Sequence, residues 1–516
     1  MPRFLVFACV GLLGLALLVT ATRAGVVSGV VKSTSPDAGR ITIETKDGRS
    51  KSFTIPQGAE LTIDDRTAAV DALQAGHKVS VFVGANGAVT KVRARSEEPA
   101  AVEPATSNSP AAGSTRTANT QPAGRPPIGW PQYGGPLRDN RSGDTGLLGE
   151  WPTDGPPLSL RVAGLGVGYS SVSLADGKIF TMGSVGEDEF VIALDEKTGD
   201  DVWKVRIGAT RKDGMGDGPR GTPTIDEDRV YALGANGDLV CLSINDGYAI
   251  WKANILEKFG GNNIGWGISE SVLIDGDHLI CTPGGKQATM AALDKRTGKV
   301  VWKCKAPETP PAAYSSAIAV ELNGVRQYVN FTHTGVIGVQ ADNGDFLWSN
   351  SASANGTANC SSPVAYDGNI FSSSGYGQGC ALVKITEKRG RDGAKLVYKN
   401  EELRSHHGGI VLDGQYVYGT DEGVMKCLDV LTGETKWQNR SVGKGAVVYA
   451  DGKIILRSEQ GPIALLDATP DEYREHGRFE QPDRSGQAAW AHPVVADGKL
   501  FLRDQGLLLV YDLRAK

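Results

Sequence analysis

Five of the nine tryptophans in this 516-residue chain follow a glycine by four positions. The pairs are Gly199/Trp203, Gly247/Trp251, Gly298/Trp302, Gly344/Trp348 and Gly433/Trp437, spaced at about fifty residues. The one double gap holds a further unit, in which Tyr398 follows Gly393. Each unit opens on a tight-turn pair: Asp176-Gly177, Asp226-Glu227, Asp275-Gly276, Asn323-Gly324, Asp367-Gly368, Asp413-Gly414, Asp451-Gly452 and Asp497-Gly498. A fixed period of this length means one supersecondary unit repeated, each unit burying its apolar face against the next.

Within a unit, apolar runs of four to seven residues alternate with turn chemistry, and four such strands fit. The second unit reads Thr222–Asp226, Val230–Gly234, Leu239–Ile244 and Ala249–Ala253, with Asn236-Gly237-Asp238 and Asn245-Asp246-Gly247 between the later strands. Four-stranded sheets repeated eight times predict an all-β, eight-bladed β-propeller over residues 128–516. The last unit stops after its third strand, Leu507–Leu513. An open sheet edge there would invite aggregation, and Leu158–Ala163, ahead of the first unit, is the natural donor of the missing outer strand. The ring is thus expected to close with a strand from its own beginning.

The remainder of the chain divides by composition. Residues 1–24 join Arg3 to the apolar run Phe4–Val19 and end in Ala21-Thr22-Arg23-Ala24, the pattern of a signal peptide cut before Gly25. Export to a periplasmic or cell-envelope location follows, with no transmembrane span after cleavage. Residues 25–95 alternate apolar and polar positions, as in Arg40-Ile41-Thr42-Ile43-Glu44-Thr45 and Lys78-Val79-Ser80-Val81-Phe82-Val83, and predict a small five- or six-stranded β-barrel. Residues 96–127 contain six prolines and no aromatic residue, so they form a disordered linker rich in Pro, Ala, Ser and Thr. The net charge of −5, without a long basic block, argues against nucleic acid as a partner. Six cysteines follow the leader, none in a CxxC or vicinal pair, and they read as free thiols. Cys281 and Cys304 fall two strands apart in one sheet, beyond the reach of a disulfide.

The stretch Ala193-Leu194-Asp195-Glu196-Lys197-Thr198-Gly199-Asp200-Asp201-Val202-Trp203 recurs as Ala292-Leu293-Asp294-Lys295-Arg296-Thr297-Gly298-Lys299-Val300-Val301-Trp302. It resembles the tryptophan-docking motif of the eight-bladed propellers of the PQQ-like (pyrroloquinoline quinone) repeat family, and the resemblance runs over about residues 130–516. It implies that Trp203, Trp251, Trp302, Trp348 and Trp437 are structural docking residues reaching a neighbouring blade. A small residue ten positions earlier leaves room: Cys241, Cys427 and Gly338 stand where the motif has Ala, and the two cysteines read as packing residues rather than ligands. The family holds quinoprotein alcohol dehydrogenases and a non-enzymatic scaffold lipoprotein of outer-membrane barrel assembly, so fold alone leaves activity open. Residues 25–95 resemble small β-barrel domains of exported bacterial proteins, through Leu73-Gln74-Ala75-Gly76-His77-Lys78-Val79.

In a four-stranded blade the Asp-Gly and Thr-Gly turns share one face of the ring. The opposite face collects the segments entering each first strand, and here these are irregular, polar and aromatic. Arg220, Trp266, Tyr314, His333, Tyr376, His406, His407, Glu459, His492 and Arg503 are the candidates for ligand or partner binding there. On an extended strand His406 and His407 would point to opposite faces and could not share a metal, so no metal site is assigned. Two functional readings stand. The preferred one is an exported, non-catalytic, monomeric propeller that binds an envelope protein partner or a ligand as a scaffold module, without cofactor. The alternative, implied by the resemblance, is a PQQ-dependent alcohol dehydrogenase-like quinoprotein with PQQ and calcium in the same funnel. Its cations would come from Arg220, Lys286 and Arg503 and its oxygen donors from Asn262, Glu270, Glu459 and Asp504, a set that no spacing selects. The vicinal cysteine pair common in those dehydrogenases is absent from this sequence.

Overall fold

The computed structural model describes residues 25–35, 39–45, 48–56, 59–63, 66–83, 88–95 and 129–515. The leader read at 1–24 and the linker read at 96–127 lie outside the described residues. The described residues fall into two compact units, 25–95 and 129–515. Among them no helix is long and apolar enough to cross a membrane.

The first unit is one antiparallel-dominated sheet. Its strands are β1 (Gly25–Ser35), β2 (Arg40–Thr45), β3 (Ser50–Thr54), β4 (Glu60–Ile63), β5 (Arg66–Thr67), β6 (Lys78–Val83) and β7 (Val89–Arg95). They lie in the order β3-β2-β1-β6-β7-β4-β5, with β4 parallel to β7. Seven strands replace the expected five or six, because the short hairpin β4–β5 adds to the edge of β7. The alternation read from sequence puts Ile41, Ile43, Val81 and Val92 at complete burial. A single sheet can bury one face so fully only by coiling on itself, and Leu73 beside the short 3-10 turn Val70–Ala72 caps the same core.

The second unit contains, among the described residues, eight four-stranded sheets, seven of them meanders. The first strand of each is the innermost, joined to the second by a two-residue hairpin. In five blades both turn residues adopt positive φ, as in Asp176-Gly177 (52° and 66°) and Asn323-Gly324 (53° and 72°), which matches the right-handed twist of the strands. In the other three the turn sits one residue later than the sequence reading. Asp226, Asp275 and Asp413 are the last strand residues, paired with Arg229, His278 and Tyr416.

The outer strands supply the docking contacts. Trp203, Trp251, Trp302 and Trp437 lie directly opposite Ala193, Cys241, Ala292 and Cys427, so the ten-residue spacing is a cross-strand pair. Each indole N–H donates to a carbonyl of the next blade: Trp203 to Ile244 (3.1 Å), Trp251 to Lys295 (3.0 Å), Trp302 to Ala341 (2.9 Å) and Trp437 to Thr469 (2.7 Å). Tyr398 takes the same role with its hydroxyl on Val430 (2.8 Å). The glycine of the next blade receives the ring. A Cβ on Gly344 (φ 76°) would stand 2.5 Å from Trp302, so the conformation and the space both require glycine. Trp348 departs from the pattern. Its indole donates to Gln327 Oε1 within its own blade (2.8 Å) and folds over Gly338, where a Cβ would come within 2.2 Å of the ring. That contact explains why Gly338 replaces the usual Ala.

The ring closes as expected. Strand β8 (Leu158–Val162) pairs antiparallel with Leu507–Asp512 as the outer strand of the last blade. Leu160, opposite Val510, holds the tryptophan position, and Leu160 and Val162 approach Gly199 of the first blade. In the seventh blade Arg478 lies opposite Ala464, and packing comes instead from Trp151 against Phe479 (5.4 Å) and Phe479 against Tyr511 (5.0 Å). Cys241, Cys281, Cys304, Cys360, Cys380 and Cys427 are free thiols, all buried except the half-buried Cys360.

One segment was not read from the sequence. Residues 129–151 cross the axis of the ring and bond to inner strands on opposite sides. Leu174 and Ile225 donate to the carbonyls of Trp130 and Pro131, each at 2.7 Å. Arg138 reaches Ser271 and Val272, Arg141 pairs with Asp413 (2.7 Å), and Asp144 accepts from Gly498 N–H (2.7 Å). Arg138, Asp139, Asn140, Arg141, Ser142 and Asp144 are all buried. Polar side chains this deep require partners, and the inner strands provide them.

Candidate functional site

A cavity partly open to solvent occupies the axial mouth of the ring. Tyr133, from the axial segment, contributes to its lining. Its walls come from the polar segments that enter the first strands: Tyr169, Arg220, Trp266, Tyr314, His407, Trp490 and His492. Tyr376 stands at the rim, 46% exposed, on a turn where its φ of 58° places a bulky residue in the left-handed region. Such backbone strain persists where surrounding structure holds it, and it is concentrated at functional positions.

Rings line the wall in three groups, one of them Tyr133 against His492 at 5.2 Å. Tyr169, Trp490, His407, His406 and Tyr376 form a chain of neighbours with centroid separations of 4.7, 4.5, 3.8 and 4.6 Å. Trp266 and Tyr314 form a second pair at 5.4 Å. Beneath them lies a rung of hydroxyls. Ser171 N–H donates to Thr222 Oγ1 (3.1 Å), Thr222 N–H to Ser271 Oγ (2.8 Å), Ser271 N–H to Ser316 Oγ (2.9 Å), and Ser316 N–H to Ser362 Oγ (3.3 Å). Each bond joins one blade to the next at the start of its inner strand.

Of the ten residues singled out from sequence, six line the cavity: Arg220, Trp266, Tyr314, Tyr376, His407 and His492. His406 and Glu459 support the wall from behind. His407 Nδ1 is 3.1 Å from Glu459 Oε1, and Lys444 Nζ contacts His406 Nδ1 while lying 3.6 Å from Glu459. The expectation that the two adjacent histidines point apart is corrected. They sit in an irregular stretch, not on a strand, so their rings lie against each other, tilted by 33°, at 3.8 Å. Arg503 and His333 are not brought to the mouth. Arg503 is buried in the wall between the last and first blades, where it donates to Thr181, to the Met182 carbonyl and to Gln505 O. His333 is half-buried, and its carbonyl accepts from Asn359 (3.1 Å).

The electrostatics of the mouth are nearly neutral. Burial pushes His492 down to about 4, and burial with the neighbouring His407 and Lys444 pushes His406 to about 3. Burial also lowers His407, against the raising influence of Glu459. Burial would raise Glu459, but the His407 hydrogen bond and the Lys444 charge outweigh it and hold the carboxyl below its usual range. Arg220 is paired with Asp213 (3.2 Å), stacks over Tyr169 (5.1 Å) and has only 10% of its side chain exposed. Burial raises the Cys360 thiol to about 12, so it is no nucleophile at neutral pH.

These residues do not fit PQQ with calcium. No aspartate or glutamate lines the cavity, whereas calcium is held by clustered oxygen ligands, usually carboxylates among them. Among the described residues no group of three or more His, Cys, Asp and Glu side chains is placed to hold a metal ion. The oxygen donors weighed from sequence are engaged elsewhere. Glu270 is buried between Thr282 N–H (2.6 Å) and Thr282 Oγ1 (2.8 Å), with its carboxyl raised by burial to about 7. Asp504 bonds to Arg484 (2.8 Å) and Gln481 (3.1 Å). Sequence reasoning missed Tyr133, Tyr169, Met215, Ser171, Thr222, Ser269 and Ser271. The hydroxyl rung had a signal, a Ser or Thr recurring at the repeat period two residues ahead of each of the first five inner strands.

With this geometry in hand, likeness to known proteins is informative. A family model described as outer membrane protein assembly factor BamB matches residues 187–439. The outer membrane protein assembly factor BamB of Burkholderia pseudomallei is 24% identical over 355 residues, covering 65% of this chain and 82% of that protein. Its counterpart from Shewanella oneidensis is 28% identical over 134 residues, 26% of this chain and 31% of that protein. Among solved structures, a quinohemoprotein alcohol dehydrogenase from Comamonas testosteroni superposes with a TM-score of 0.54 at 12% identity, over 76% of this chain and 82% of that one. At that identity the likeness is one of fold. Residues 129–515 are an eight-bladed β-propeller of the PQQ-like repeat family.

Proposed function

We propose that the chain is an exported, non-catalytic propeller that serves as a recognition scaffold in the cell envelope and holds its partner at the axial mouth. The observation that carries this reading is the composition of the mouth: aromatic rings, hydroxyls and neutral imidazoles converge there, with no carboxylate in the lining. General acid–base chemistry needs a titratable group within reach of a substrate at a useful pKa, and burial lowers both lining imidazoles, His407 and His492, the latter to about 4. Such a surface binds without turning its ligand over. The similarity to proteins described as outer membrane protein assembly factors supports an envelope scaffold working with protein partners, and the leader-like residues 1–24 support export.

The competing reading, a PQQ-dependent alcohol dehydrogenase-like quinoprotein, draws on the fold of the Comamonas enzyme and lacks a donor set in this mouth. Adding PQQ and calcium to the full chain should leave its near-UV absorbance and thermal midpoint unchanged. A gain of several degrees would favour the quinoprotein, since a ligand at 100 times its dissociation constant adds about 2.7 kcal/mol. The scaffold reading is tested by capture of envelope proteins on the full mature chain and on its Trp266→Ala/Tyr376→Ala form. Capture that depends on those two residues supports it; equal capture by both forms contradicts it.

A further inference from the structure

The mouth offers hydrogen bonds of both senses without offering charge. Thr222, Ser271 and Ser316 each accept a backbone N–H from the preceding blade, which fixes their oxygens, and their own protons go to no group among the described residues. The Tyr314 hydroxyl is in the same state, accepting the Trp266 N–H at 3.3 Å. Four O–H donors therefore belong to the lining with their protons uncommitted. His407 supplies the opposite sense. A carboxylate can only accept, so the 3.1 Å contact to Glu459 puts the imidazole proton on Nδ1 and leaves Nε2 a bare acceptor.

The cations near the mouth are already engaged. Arg220 is held by Asp213 and by the carbonyls of Gly216 (3.1 Å) and Gly218 (3.5 Å). Lys444 is held between His406 and Glu459. An anionic ligand would find no free cation and would meet the His407 lone pair. A cationic ligand would find no carboxylate. A purely apolar ring would strip water from four hydroxyl protons without replacing it, which is costly for buried polar groups. A neutral ring with hydroxyls on its edge and C–H bonds on its face meets every condition. Its oxygens accept from the four donors, one of its hydroxyls donates to His407, and its face lies on Trp266 or Trp490.

We infer that the axial mouth binds a neutral saccharide of one or two rings, as the chemical feature by which its envelope partner is recognised. The cavity opens to solvent at the rim, so a second ring can extend past Tyr376. Hydrolysis of the sugar is not part of the inference, because glycoside hydrolysis uses a pair of carboxylates flanking the bond and none lines the cavity. The inference rests on the mouth being the recognition surface.

The test is titration of the full chain with cellobiose, maltose and N,N′-diacetylchitobiose, followed by tryptophan fluorescence and calorimetry, with glucuronic acid and 4-hydroxybenzoate as charged controls. At least one neutral disaccharide is expected to bind, weakened about tenfold or more in Trp266→Ala and less in Tyr314→Phe, with the thermal midpoints of both variants checked. The inference is overturned if none of the three binds, if Trp266→Ala binds them undiminished, or if only the charged controls bind. The two readings separate in one further arm, competition of the binding disaccharide against partner capture. Capture that needs Trp266 and Tyr376 but ignores the disaccharide overturns the saccharide while leaving the scaffold standing. Capture indifferent to those residues overturns the scaffold itself.

Discussion

Tryptophan does two different jobs on this ring, one on the outer belt and one at the mouth. On the belt, Trp203, Trp302 and Trp437 are at most 8% exposed, and each spends its only polar hydrogen on a carbonyl of the next blade. At the mouth, Trp266 and Trp490 sit on irregular segments, pack beside neighbouring rings and line the cavity. The belt contact is internal to the protein and saturates the indole. The mouth contacts leave ring faces for something else to cover. The same residue type therefore reports stability where it recurs at fixed spacing and recognition where it does not.

That contrast can be broken or sharpened by substitution. The largest effect should come from removing residues 129–163, which takes away both the axial segment and β8. The last blade would be left with an open edge and the inner strands with unpaired polar groups, and the chain is expected to lose its cooperative thermal transition. Trp302→Ala should cost about 3–5 kcal/mol in denaturant unfolding, the usual range for a buried aromatic. Trp302→Phe keeps an aromatic ring but loses the five-membered part of the indole and the bond to Ala341, an effect of about 1–3 kcal/mol. Gly344→Ala forces a Cβ against Trp302 at a positive φ and should cost about 1–3 kcal/mol. Trp266→Ala, by contrast, should shift stability by no more than about 1 kcal/mol while removing partner capture. A loss as large as that of Trp302→Ala would erase the distinction between belt and mouth.

A further contrast concerns pH. His492 titrates at about 4 and His406 at about 3 in the folded chain, against about 6.5 when unfolded. Between those values the unfolded chain binds more protons, so stability should fall as pH drops from about 6.5 towards 4. His492→Gln should flatten that decline, and Trp302→Phe should leave its slope unchanged because that ring packs among apolar residues away from both histidines.

The belt could be read from the chain and the mouth only in part. Gly-x-x-x-Trp and its partner ten residues earlier obey the geometry of one antiparallel pair repeated around a ring, so periodicity exposes them. Even the exceptions made sense by size, as with Gly338 under Trp348. The missing outer strand could be placed because an unpaired edge is unfavourable. The mouth is built from one-off segments of different lengths, and nothing local tells which side chain turns inward. Arg503 illustrates the failure. It neighbours the right face in sequence, yet strand alternation carries it into the wall between two blades. His406 and His407 failed differently, because their stretch is irregular and strand alternation does not apply. The axial segment 129–151 escaped notice entirely, since its buried Arg, Asp and Asn residues look like any polar loop until the inner strands are seen to pair with them.

The most direct test of the division between belt and mouth is site-specific photocrosslinking in intact cells, with a photoreactive residue placed either at Tyr376 on the rim or at Val301 on the outer strand beside Trp302. Both positions are exposed, at 46% and 47%, so accessibility does not bias the comparison. The account predicts a discrete adduct with an envelope partner from position 376 and none from position 301. Adducts from 301 alone would contradict it and move recognition to the outer belt.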